Sequence, residues 1–201
     1  MTSACGCELQ HVPRVVVLTG GPGAGKTAVL EVLQQQVCRH VAILPEVASI
    51  LWKGGFPRRS TTSGRRAAQR AITRVQIELQ RIAIEEPTTG LVVCDRGTID
   101  GLAYWPGEPA EYYEELDTTE AKELGRYATV IHMESATRDD GYFATSTRVE
   151  SVDQAQEIDR RILAAWSNHP HRVIVPSSRN FLLKLDQALA LVRAEIPVCC
   201  R

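Results

Sequence analysis

Apolar residues along this chain follow two distinct rhythms. Short, almost unbroken runs of β-branched and other apolar residues occupy Arg14 to Thr19, Val41 to Leu44, Leu91 to Asp95, Ala128 to Met133 and Arg172 to Val175. Such runs suit strands covered on both faces, because a strand with one wet face alternates polar with apolar. Between the runs the apolar positions spread to a period near 3.6, which predicts helices at about Lys26 to Cys38, Ala67 to Ile84, Thr119 to Gly125, Val152 to Ser167 and Phe181 to Glu195. Strands alternating with helices give an α/β sandwich, a parallel sheet with right-handed crossovers and helices on both faces. No repeat or low-complexity tract interrupts the pattern.

Length and composition add bounds. With 201 residues, 44% of them hydrophobic, one good core is affordable, so we expect one domain over 1–201, with its core at about 14–195 and short flexible ends. A formal net charge of -1 excludes a global electrostatic attraction to nucleic acid or anionic membrane; any such attraction has to be local. There is no apolar leader and no run approaching the roughly 18 apolar residues of a membrane span, so the expectation is a cytoplasmic protein. Cys38, Cys94 and Cys199 sit beside apolar residues and read as small hydrophobes. Cys5, Cys7 and His11 have the chemistry to ligate a metal together with Cys199 and Cys200, but without a CxxC pair frayed ends are the preferred reading.

The first strand breaks into glycine at a telling place. Gly20, Gly21, Pro22, Gly23, Ala24, Gly25, Lys26 and Thr27 fit G-x-x-x-x-G-K-[ST], directly between an apolar strand and a helix that runs on through Ala28. Glycines let successive backbone N–H groups curl around an anion, and the free amides at the helix start add positive potential. The loop is therefore a phosphate cradle, with Lys26 bridging the β- and γ-phosphates and Thr27 offering its hydroxyl to Mg²⁺. Asp95, at the end of the run LVVCD, is the matching acid of a neighbouring strand and the second Mg²⁺ ligand. The chain lacks N-K-x-D and has no room for a helical lid domain, which leaves the small-molecule kinases among P-loop classes.

The stretches GGPGAGKT, ILPEVASILWKGGFP, QRAITRVQIELQ, CDRGTIDGLAYWPG, VIHMES, TRVES and WSNHP, in this order, resemble the NadR/Ttd14-like AAA domain family of compact P-loop, kinase-like ATPases, over roughly Arg14 to Glu195. The resemblance implies a three-layer P-loop NTPase fold with strand order 2-3-1-4-5 and the phosphate site at the carboxyl ends of the strands. It also implies ATP or GTP with Mg²⁺, and phosphate transfer to a small nucleoside-like acceptor. On this plan Glu46 is the carboxylate that takes the acceptor's hydroxyl proton, its bland alternative being a helix cap, and Arg96 touches acceptor or phosphate, its alternative being a salt bridge to Asp95 or Asp100. Arg148, with Arg138 behind it, is placed in a lid over residues 136 to 151, and Arg160 or Arg161 could substitute. The loop VPSSRN is expected near the base.

Gln69 and Gln76 share a helix face and have the groups to read a base edge, although surface polarity is the preferred reading; Trp52, Trp105 and Trp166 are expected to pack rather than stack on a ligand. Six arginines and one lysine between Val47 and Ile77 face no acid in sequence, while Glu108 to Glu123 carries seven carboxylates against Lys122. Both read as solvated surface. A second function class stays open on that basis: a nucleotide-responsive binding protein whose basic arm, 53–74, recognises a phosphoinositide or RNA, with slow hydrolysis as its timer.

Overall fold

The computed structural model describes residues 5–8, 10–137 and 151–200. Five strands, β1 (Arg14–Thr19), β2 (Val41–Leu44), β3 (Leu91–Asp95), β4 (Thr129–Met133) and β5 (Arg172–Val175), form one sheet in the order β2-β3-β1-β4-β5. Every pairing is parallel. The register sets Leu18 beside Asp95 on one side and Thr19 beside His132 on the other, so the carboxyl ends of the three central strands finish together.

Alternation along β1 divides the core. Val16 and Leu18 join Val29, Leu33, Leu189 and Val192 on the face covered by α1 (Lys26–Gln34) and α7 (Phe181–Glu195). Val15 and Val17 point the other way, toward Ala83, Ile162 and Trp166 of the layer containing α3 (Thr62–Glu85) and α6 (Val152–Ala165). With period two the same strand feeds both layers, which is why its sequence carries no polar face.

Differences from the sequence pattern lie mostly in the connections. The first helix stops at Gln34, four residues short of expectation, where the Val37 amide donates to Leu33 O. Helix α3 begins at Thr62, five residues early, because the Thr61 hydroxyl accepts from the Gly64 amide and caps it. Among the described residues four short elements were not anticipated: a 3-10 helix at Val198–Cys200, α2 (Val47–Lys53), a 3-10 helix (Thr98–Tyr104) and α4 (Pro109–Glu115). The last is set by Glu108 and Glu111, which cap one another's backbone. A further short helix, α5 (Glu120–Leu124), leads into β4. Among the described residues no helix is long and apolar enough to cross a membrane.

Candidate nucleotide and acceptor site

The loop from β1 to α1 holds Gly20, Gly23 and Gly25 at φ of 132°, 75° and 97°. At Gly20 the requirement is steric as well as torsional, since a Cβ there would stand 2.0 Å from Met133 O. The loop leads to Lys26, which is buried, and its Nζ donates to the carbonyls of Gly20 at 2.8 Å and Gly21 at 3.0 Å. Burial, aided by the nearby Arg96 charge, lowers the Lys26 pKa to about 8 despite the acids around it. Its ammonium is thus held by loop carbonyls that a phosphate oxygen can replace.

Asp95 closes β3 beside the loop, 8% exposed, and its Oδ1 has no hydrogen-bond partner among the described residues. Burial pushes this carboxyl up, against the opposing pull of Lys26 and Arg96. An orphaned buried oxygen is costly unless a ligand satisfies it. Asp95 and Thr27 line the same cleft, and a carboxylate with a hydroxyl is the hard-oxygen donor set Mg²⁺ takes, so the residues present fit that ion.

Behind Asp95 the chain makes its sharpest departure from ordinary geometry. Arg96 has φ of 72°, a left-handed conformation worth about 1–3 kcal/mol of strain for a residue with a side chain. Its surroundings fix it there. The Arg96 amide donates to Leu18 O at 3.0 Å, Nε to Glu46 Oε1 at 2.7 Å and one terminal nitrogen to Gly20 O at 3.2 Å. That nitrogen also lies 3.5 Å from Asp100 Oδ2. Asp100 is in turn clamped by the Thr19 hydroxyl at 2.7 Å and the Trp166 indole N–H at 2.6 Å. Burial opposes the Arg96 charge, but Tyr104, Glu46 and Asp100 outweigh it and keep the guanidinium protonated. Glu46, the residue before α2, likewise has burial pushing it up, yet Arg96 and the Ser49 hydroxyl (2.5 Å) hold it below the ordinary carboxylate range. It stands at the N-cap position of α2 without a side-chain cap hydrogen bond, so the helix-capping alternative holds in position but not in bonding. The arginine's bland alternative is half right: it pairs with Asp100 and more closely with Glu46, across the mouth of the phosphate loop.

A cleft of about 590 Å³ runs from Pro22 and Lys26 past Asp95 to Glu46 and Arg96, then between α2 and α3. Its far end is lined by Trp52, Arg58, Gln69, Gln76 and Tyr104. The two glutamines are not surface residues: they are 9% and 3% exposed, and Gln76 Nε2 donates to Arg96 O at 3.4 Å. An amphipathic count treats Gln as outward-facing, and here the inward face of α3 is itself amide-rich because it borders a cleft rather than a core. Trp105 and Trp166 are buried as expected, whereas Trp52 lies on the cleft beside Phe56, with the Arg58 guanidinium 5.7 Å from its ring centre.

Sequence reasoning missed the carboxylate of Asp159 on α6. Its Oδ1 accepts from the Gly21 amide at 2.6 Å and stands 3.1 Å from His132 Nε2, and its Oδ2 accepts from the Ser135 amide at 2.9 Å. Burial raises this acid, but the His132 ring and the two amides win and hold it below the usual range. Thr19 was missed too, and Asp100 was expected only as a salt-bridge partner of Arg96. Only the position of Asp100, one turn past Asp95-Arg96, offered any signal. Arg138 and Arg148 lie outside the described residues. Arg160 pairs with Glu157 on the surface and Arg161 donates to Ala103 O, so neither borders the cleft. The loop after β5 brings Phe181 to the P-loop, where a Cβ on Gly25 would meet its ring at 2.7 Å.

The two charged stretches turn out to be partners. Arg66 donates to Glu111 at 2.6 Å and Glu115 at 2.9 Å, and Arg70 also pairs with Glu115. Arg65 donates to Tyr104 O, and Arg66 lies over the Trp105 ring. Arg66 and Arg70 are therefore paired with the acidic stretch, whereas Lys53, Arg58, Arg59, Arg65 and Arg74 are exposed, as the solvated reading expects.

The model of the AAA domain family matches residues 15–181. Among solved structures, one described as the NadR protein in complex with NAD and AMP-PNP superposes with a TM-score of 0.64 at 16% identity, covering 93% of this chain and 51% of that one. The chain thus spans about half the length of that protein, and the likeness is one of fold. Curated proteins gave no match.

Proposed function

We propose, from the premise that this chain belongs to the AAA domain family, that it is a cytoplasmic, ATP-dependent kinase that transfers a γ-phosphate to a small nucleoside-like metabolite. The observation that carries the reading is one cleft with two unlike linings: a phosphate cradle with Lys26, and an aromatic and amide wall of Trp52, Gln69 and Gln76, joined at Glu46 and Arg96. An NTPase that only hydrolyses needs the first lining and no second.

In this reading the amides from Gly23 to Thr27 hold the donor's phosphates, and Lys26 exchanges its two carbonyl partners for phosphate oxygens. Thr27 and Asp95 would hold Mg²⁺, which supplies neutralising charge to the phosphate chain when bound. Glu46, ionised at neutral pH and fixed by Arg96 and Ser49, takes the proton that the acceptor's hydroxyl releases. Arg96 presents charge at the junction of donor and acceptor. Gln69 and Gln76 have donors and acceptors for a base edge, and Trp52 an aromatic face for it. GTP is the alternative donor.

The test is a metabolite screen by thermal stabilisation in the presence of a non-hydrolysable ATP analogue, followed by ATP consumption with each hit. A nucleoside-like compound that raises the melting temperature and makes ATP turnover acceptor-dependent is the expected result. Acceptor-independent hydrolysis, with salt-sensitive binding to phosphoinositide vesicles or RNA, would instead favour the nucleotide-responsive binding protein.

A further inference from the structure

At the opposite end of the sheet from the phosphate loop, the described ends of the chain close on each other over the start of β2. Cys5 Sγ donates to Cys199 O at 3.0 Å, Arg39 donates to Cys7 O at 2.8 Å, and the short 3-10 helix Val198–Cys200 brings two adjacent thiols to the same point. A Cβ on Gly90 would meet Pro197 at 2.8 Å and His11 at 3.0 Å, so the strand ends, the N-terminal segment and the C-terminal segment are packed closely here.

What gathers at that point is soft-ligand chemistry. Ligand atoms of Cys5, His40, Cys199 and Cys200 all lie within 4.8 Å of one another. Cys200 Sγ is 3.9 Å from Cys5 Sγ, 3.4 Å from Cys199 Sγ and 3.0 Å from His40 Nδ1. Zinc at about 2.3 Å from sulfur and about 2.0 Å from nitrogen in a tetrahedron requires ligand-to-ligand edges of roughly 3.5–3.8 Å. The three edges from Cys200 bracket those values, and the remaining three lie within 4.8 Å. His40 is 1% exposed and its partner Cys38 is buried, while Cys5, Cys199 and Cys200 are part-exposed. Cys7 and His11 form a neighbouring group that shares Cys199.

We propose that Cys5, His40, Cys199 and Cys200 bind one Zn²⁺ ion as a closed, structural site that fastens both ends of the chain to the foot of β2. Three thiolates and one imidazole fill the coordination sphere and leave no open position, which assigns the ion a structural rather than a catalytic part. Each thiol gives up its proton to solvent as its sulfur bonds the metal, and the ion brings residues near position 5 and position 200 together, a long loop to close in the unfolded chain. The site lies far from the nucleotide cleft in the fold, so its fate is separable from that of the kinase reading.

The test uses the full chain expressed in zinc-supplemented medium and purified without chelator. Elemental analysis is expected to find one zinc per chain in the wild type and in Lys26→Ala, and its loss in Cys200→Ser and His40→Gln. Cys7→Ser is expected to keep the ion; zinc lost in Cys7→Ser and kept in His40→Gln would overturn this ligand set. Should a ligand variant fail to fold, cobalt loading of the wild type provides an independent reading, because thiolate-bound tetrahedral cobalt has strong visible bands that an octahedral ion lacks. Zinc-free protein, whether with all thiols open to alkylation or with Cys38 and Cys200, whose sulfurs stand 2.6 Å apart, joined in a disulfide seen as a two-hydrogen mass loss, would overturn the proposal.

Discussion

At Lys26 one side chain carries opposing consequences for binding and for stability. Its pKa of about 8 lies below the ordinary 10.5, so between these values the unfolded chain holds a proton that the folded chain has released. This group's contribution to stability therefore rises across that window as pH increases. Phosphate binding needs the cation and runs the other way. Nucleotide affinity, followed by titration calorimetry in buffers of different pH, should fall as pH passes through about 8, with no matching loss of melting temperature from this residue. Lys26→Ala should remove measurable nucleotide binding. For Glu46→Gln we expect kcat to drop by about 10²–10⁴-fold with the KM for ATP little changed, since the amide keeps the shape but cannot take a proton. A variant with full turnover would remove Glu46 from the chemistry. Gly20→Ala, facing Met133 O at 2.0 Å, should displace the loop and weaken nucleotide binding even if the protein folds.

At the scale of elements, the positions of Glu46 and Arg96 are held by several separate parts of the chain. The 3-10 helix Thr98–Tyr104 presents Asp100 to Arg96, Thr19 and the Trp166 indole, and the Tyr112 hydroxyl of α4 donates to Thr98 O at 2.5 Å and pairs with Thr73 of α3 at 2.8 Å. Tyr112→Phe would leave a buried carbonyl and a buried hydroxyl unpaired, at a cost of about 1–3 kcal/mol, readable as a shift in denaturant midpoint. Trp166→Phe would leave Asp100 Oδ1 without its indole donor while Thr19 still holds Oδ2, and should lower kcat; an unchanged kcat would mean the indole bond only packs the core. These elements also mark where the sequence stops being readable. The strands and the P-loop were legible because their cause is local: period two burial and a steric need for glycine. The acid Asp159 was not, because its partner Gly21 lies 138 residues away and nothing in an amphipathic α6 distinguishes a carboxylate aimed at a loop from one aimed at water. Gln69 and Gln76 misled for the same reason, as periodicity reports the polarity of a face and not what that face adjoins.

For the whole molecule, the sheet sorts its two ends by chemistry. Oxygen and nitrogen groups for a polyanion stand where the strands finish, and thiols with imidazoles stand where they start. Contacts in space join Arg66 and Arg70 to Glu111 and Glu115, dozens of residues away in sequence, a pairing that composition does not reveal. Reversing one charge with Glu115→Lys, so that Arg66 and Arg70 lose their shared partner, should free the basic arm and increase salt-sensitive binding to anionic vesicles relative to the wild type. An unaltered vesicle affinity would show that the arm's charge is of no use to such a surface.

The Gly21 amide is already taken, by an aspartate borrowed from a distant helix. A loop tethered in this way keeps its curvature before any guest arrives, so little chain entropy is left to lose on docking, and affinity gains accordingly. The resident negative charge also makes one rim of the curl inhospitable to further anions. On the proposed reading a polyphosphate tail would enter from the other rim, with a single polarity along the groove.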